Sequence, residues 1–68
     1  MSLNVEVINS IKELYNQADK GQHTYYLDNF DQQDVADSVN ALHATKPEVF
    51  LESDVDYTGK ADITFVKR

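Results

Sequence analysis

Between Asn4 and Lys20 the apolar residues recur at helical spacing, and this stretch limits most sharply what the chain can become. At about 100° per residue, Leu3, Val7, Ile8, Ile11, Leu14, Tyr15 and Ala18 gather within an arc of roughly 140°, opposite Glu6, Asn9, Lys12, Glu13, Asn16 and Gln17. Asn4 has the side chain of an N-cap, Leu3 can staple onto Ile8, and Gly21 stands where a left-handed residue closes a helix. A helix with so wide an apolar face is unstable alone in water, so the rest of the chain must supply a surface that covers it.

That cover is legible in order. His23 to Leu27 is rich in aromatic and β-branched residues and predicts a strand with Tyr25 and Leu27 on one face. Asp31 then caps a second helix, with Phe30 stapled to Val35 and Asp34 in the first turn. Its apolar seam is Val35, Val39 and Leu42, flanked by Ala36 and His43, and it gives out at Lys46 before Pro47. Gln33, Asp34, Asp37, Asn40, Ala41 and Ala44 form its outward face. From Glu48 the period becomes two: Val49, Leu51, Val55 and Tyr57 alternate with Phe50, Glu52, Asp54 and Asp56, and after Gly59 the residues Ala61, Ile63 and Phe65 alternate with Asp62, Thr64 and Val66. This predicts a C-terminal β-hairpin, with a three-residue turn from Thr58 to Lys60 that pairs Tyr57 with Ala61 and Val55 with Ile63. The fold class is therefore α+β, two helices on a small antiparallel sheet in the order α-β-α-β-β, forming one domain over residues 1–68.

Composition narrows the function. Twelve acidic residues against six basic ones give a net charge of −6, which repels nucleic acid and acidic membranes and favours basic partners. The chain has no cysteine, hence no disulfide framework or thiolate site, and the start Met-Ser-Leu-Asn-Val-Glu lacks the basic and apolar runs of a signal peptide. A cytoplasmic location without membrane association is the expectation.

The element order, with the hairpin Val49 to Val66 as wing and Phe30 to Thr45 in the recognition position, resembles a winged helix-turn-helix whose middle helix is reduced to the turn from Asp28 to Asp31. The resemblance implies DNA binding, but a recognition helix needs cations and amides on its exposed face, and here Asp34 and Asp37 stand beside Gln33 and Asn40. DNA is therefore not the expected partner. Asp54, Asp56, Thr58, Gly59 and Asp62 match the start of a calcium loop, yet Phe65 stands where the bidentate glutamate belongs, so no metal is expected. His23 and His43 lack companions at ligand spacing. No phosphate loop or nucleophile elbow is present, so neither an enzyme nor a cofactor is expected.

The carboxylates remain. Asp31, Asp34 and Asp37 share one side of the second helix, and Glu52, Asp54, Asp56 and Asp62 one side of the hairpin, so that a rigid row of charges could imitate phosphates. In size and charge the chain is similar to the small acidic inhibitors that phages and mobile elements direct against nucleic-acid-binding proteins. Phe50 and Val66 point to the outer face of the hairpin, a pair that a monomer rarely leaves open and that suits a partner or a homodimer. The expectation is a non-enzymatic protein-binding module, an inhibitor or regulator that engages a basic protein surface through Asp34, Asp37, Glu52, Asp54 and Asp56, with Phe50 as apolar anchor. The alternatives are a degenerate winged-helix regulator and a homodimeric adaptor domain.

Overall fold

The first helix, α1, spans Val5–Gln17 in the computed structural model, which describes residues 3–68. Asn4 caps it in an extended conformation, its side-chain oxygen accepting the Glu6 N–H at 3.0 Å. Val7 and Ile11 are fully buried, and Leu14, Tyr15 and Ala18 pack on the same core. The helix stops short of Lys20. Ala18 is extended, and the Lys67 ammonium donates to the carbonyls of Tyr15 and Asn16 at 2.8 and 3.1 Å, a cation on the negative end of the helix supplied from far along the chain. Gly21, at φ +119°, is not the terminator of α1 but the first residue of β1, Gly21–Tyr25.

The second helix, α2, spans Gln32–Thr45, with the Asp31 carboxylate accepting the N–H groups of Gln33 and Asp34 and Lys46 closing it before Pro47. Val35, Ala36 and Val39 are buried as the seam requires, and so is Ser38, at 0% exposure. The last strand, β2, is Ile63–Lys67 and pairs antiparallel with β1, Tyr25 opposite Ile63 and Gly21 opposite Lys67.

The fold is α+β with the order α-β-α-β, one strand fewer than the alternation suggests. The first arm of the expected hairpin follows β2 only briefly. Phe50 bridges Phe65, the Leu51 N–H donates to the Thr64 carbonyl at 3.0 Å and the Val66 N–H to the Val49 carbonyl at 2.8 Å. The chain then leaves the ladder until Val55 bridges Ala61. The expected pairing of Val55 with Ile63 is thus displaced, because the Asp56 carboxylate gathers the turn from 56 to 60 around itself. Tyr57, placed on the apolar face by simple alternation, is fully exposed, and Leu51 is exposed as well.

Phe65 is the centre of the core. Tyr15 meets it edge-on with ring centres 5.3 Å apart, Phe50 likewise at 5.9 Å, and Tyr25 stacks on it at 5.7 Å. Phe50 is only 4% exposed. Its expected place on an outer face is wrong because parity counted along an uninterrupted strand does not survive the departure of the chain after Leu51. It holds the sheet to α1, and is unavailable as a partner anchor.

Among the described residues, the Ser38 hydroxyl is the one buried side-chain polar atom without a hydrogen-bond partner. Ser38→Ala removes an unsatisfied group and is expected to raise stability by about 1 kcal/mol, or about 4–8 °C in Tm for a domain of this size, as measured by thermal unfolding. A fall in Tm would mean that the hydroxyl is satisfied in solution.

Candidate functional site

Residues 51–62 carry a net −3, half of the chain's −6, and polar side chains of α2 hold them in place. The Asn40 amide makes two hydrogen bonds to the Ser53 backbone, donating to the carbonyl and accepting from the N–H, both at 2.8 Å. This reproduces the pattern a neighbouring strand would offer. Ser53 is buried, and its hydroxyl donates to the Asp62 carbonyl at 2.6 Å, tying the two arms together. Gln32 donates to the carbonyls of Leu27 and Phe30 and accepts the Ala61 N–H at 2.9 Å. His43 Nδ1 lies 2.6 Å from the Phe50 carbonyl, which can only accept, so this nitrogen carries a proton. The other ring nitrogen lies 3.4 Å from the Glu52 carboxylate.

Glu52, Asp54, Asp56 and Asp62, with Asn40, Ser53 and Val55, line one open depression of about 730 Å³. Three of the residues singled out from the sequence, Glu52, Asp54 and Asp56, are therefore brought together. The two on α2 do not join them. Asp34 turns toward α1, where its carboxylate accepts from the Asn4 amide at 3.5 Å, and helical geometry sets it about 120° around α2 from Asn40. Asp37 lies between the two directions and accepts from Gln33 at 3.1 Å. Asn40, read as part of the outward face, is spent on the loop. Phe50 lies in the core.

The site carries a pronounced local charge. Residues 51–62 contain four carboxylates and one lysine, a net −3 of the chain's −6. The lysine, Lys60, reaches away to Asp28 at 3.4 Å. The acids are spread rather than convergent: among the described residues no group of three or more His, Asp or Glu side chains is placed to hold a metal ion. Asp56 has a second task. One of its oxygens accepts from the Thr58 hydroxyl and from the N–H groups of Thr58 and Lys60, and these bonds, led by the hydroxyl, lower its pKa below the ordinary 3.8.

A second groove, of about 500 Å³, is lined by Leu42, Val49 and Phe50 together with Lys12 and Lys46 and by no acidic residue. Among the described residues no helix is long and apolar enough to cross a membrane. Compared with family models, curated proteins and solved structures, the chain matches none.

The clamp from α2 was not visible in the sequence, where Asn40 reads as part of the outward face, His43 as a residue flanking the apolar seam, and Gln32 carries no signal. Two tests address it. Asn40→Ala strands the buried Ser53 backbone and is expected to cost about 2 kcal/mol in urea unfolding, with the Ser53 amide losing its hydrogen-exchange protection. For Asp56, a lowered native pKa means stability that is fully present above the ordinary value and is lost as pH falls through the lower native value. The stability difference between wild type and Asp56→Asn should hold steady from pH 7 to about 5 and shrink below about pH 4. A difference that persists unchanged to pH 2 would show that the charge plays no part in the turn.

Proposed function

We propose that this protein is a non-enzymatic binding module, acting in the cytoplasm, that inhibits or regulates a basic, nucleic-acid-binding protein by presenting the 52–62 loop to the surface that otherwise meets phosphates. The observation that carries this reading is the acidic depression formed by Glu52, Asp54, Asp56 and Asp62, held by neutral hydrogen bonds to α2. Carboxylates fixed in one arrangement lose little freedom on binding, and complementary charge speeds encounter and suppresses wrong partners. The cysteine-free composition suits a reducing compartment.

The apolar element of this surface is Tyr57 in place of Phe50. It is fully exposed within the same turn as Asp56, and an amphipathic ring of this kind is frequent at the centre of protein interfaces. The winged-helix alternative gains little support. Gln33 and Asn40, the side chains of α2 suited to reading bases, donate to Asp37 and Ser53, and the expected wing is a loop folded against the same helix.

The reading is tested by capture from cells of the source organism with the tagged full chain, followed by titration of the captured protein. A basic partner is expected, with affinity falling as salt rises. Asp54→Lys and Tyr57→Ala should each weaken it at least tenfold while leaving the circular dichroism spectrum unchanged; about 1.4 kcal/mol corresponds to each tenfold step. Affinity indifferent to Asp54→Lys removes the acidic loop from the reading. A gel shift on duplex DNA that weakens on loss of Lys60, Lys67 and Arg68 would transfer it to DNA binding.

A further inference from the structure

Among the described residues β1 forms an open edge of the sheet, and its chemistry follows from the hydrogen bonds on the other side of β2. The Thr64 carbonyl and the Val66 N–H are directed at the 49–51 arm. Successive residues of a strand direct their backbone groups to opposite sides, so Ile63, Phe65 and Lys67 serve β1. Their partners there are Tyr25, His23 and Gly21. The contact of the Thr24 and Thr64 hydroxyls at 3.0 Å agrees, because side chains of non-hydrogen-bonded pairs lie closest. The N–H and C=O groups of Gln22 and Thr24 consequently point away from the sheet, and no other helix or strand among the described residues lies against β1.

Edges of this kind are ordinarily protected by charge, proline or a bulge. From Gly21 to Leu27 the sequence is Gly-Gln-His-Thr-Tyr-Tyr-Leu, with no acidic residue, lysine, arginine or proline, in a chain that carries −6 elsewhere. A bulge is absent too, since the five pairs with β2 run in unbroken register. The inner face of the edge is aromatic. His23 and Tyr25, both half-buried, extend the stack on Phe65 to the rim of the sheet, with ring centres 6.0 Å apart.

We propose that β1 pairs antiparallel with β1 of a second copy of this chain, joining the two sheets into one across a two-fold axis. A second copy suits the edge because the segment is self-complementary. With Thr24 opposite Thr24, the outward groups of both strands meet as a hydrogen-bonded pair, Gln22 faces Tyr26, and His23 of each copy lies against Tyr25 of the other. An identical neutral strand also brings no like charge to the contact, whereas an acidic or basic strand would leave its charges unpaired there. Because the remainder of each copy is negative, association must strengthen as salt screens the repulsion, opposite to the salt dependence of the acidic loop with a basic partner.

Analytical ultracentrifugation of the full chain from micromolar to millimolar concentration tests this. The average mass should rise from 7.8 kDa toward twice that value, with a dimer dissociation constant at least threefold lower at 0.5 M than at 0.05 M salt. Thr24→Pro removes an outward N–H while leaving the inward groups of His23 and Tyr25 untouched, and should weaken the dimer at least tenfold. A second measurement needs no variant: the amides of Gln22 and Thr24 in wild-type protein should gain hydrogen-exchange protection with concentration, whereas those of His23 and Tyr25 stay protected throughout. A mass fixed at 7.8 kDa, or a dimer in which the Gln22 and Thr24 amides exchange freely, overturns the proposal.

Discussion

The ring of Phe65 is the contact on which this fold depends. A chain of 68 residues can bury one strand fully and little else, and β2 is that strand, with Ile63, Thr64 and Phe65 all enclosed. Tyr15 brings α1 to it, Tyr25 brings β1, and Phe50 brings the arm before the acidic loop. Each aromatic pair contributes about 0.5–1.5 kcal/mol beyond its buried area, a large share of the small margin such a domain can hold. Most of these contacts join residues distant in the chain. The fold consequently closes only when its last strand is in place between β1 and the 49–51 arm.

Most local signals of the sequence survived, Gly21 as the close of α1 being the exception, and the long-range ones did not. Asn4, Asp31 and the Lys46-Pro47 step mark helix ends because capping is settled within a few residues, and each is found where its chemistry requires. Phe50 was misplaced for a reason of another kind. Alternation assigns faces only while a strand continues, and after Leu51 the chain exchanges its ladder for side-chain partners on α2. Backbone groups must be satisfied somewhere, and Asn40 at Ser53 and Gln32 at Ala61 offer what a strand would have offered. Nothing in a pattern of apolar and polar residues distinguishes a helical asparagine facing water from one facing a backbone. The carboxylates sort in the same manner: Glu52, Asp54 and Asp56 are near neighbours in the chain and stay together, whereas uniting them with Asp34 required knowledge of which edge of α2 the loop covers.

The loop has a physical advantage for recognition. Neutral hydrogen bonds hold its main anchors, at Asn40, Gln32 and Ser53, so its shape depends little on ionic strength. Its net charge, with Lys60 drawn off to Asp28, remains available to act outward. Had the arm been held by ion pairs with α2, the same carboxylates would have been consumed in building it. Two acids are exceptions: Glu52 lies 3.4 Å from His43 of α2, and Asp56 shapes the turn, its contribution to an outward field coming from the oxygen that the turn leaves open.

Strand order decides whether a charged loop and a neutral edge can serve one small protein at once. The arm that leads into the acids flanks β2 on one side and β1 flanks it on the other, so the two surfaces are separated by about 10 Å of sheet, roughly one Debye length at ordinary ionic strength. Two copies joined through β1 would hold their acidic loops at the outer margins of the combined sheet, where mutual repulsion is weakest. With the order reversed, the same sequence composition would bring two loops of net −3 together at the contact, and their repulsion would oppose pairing through the edge. The position of β2 between them therefore stabilises the core and, by the same placement, separates the charge from the β1 edge.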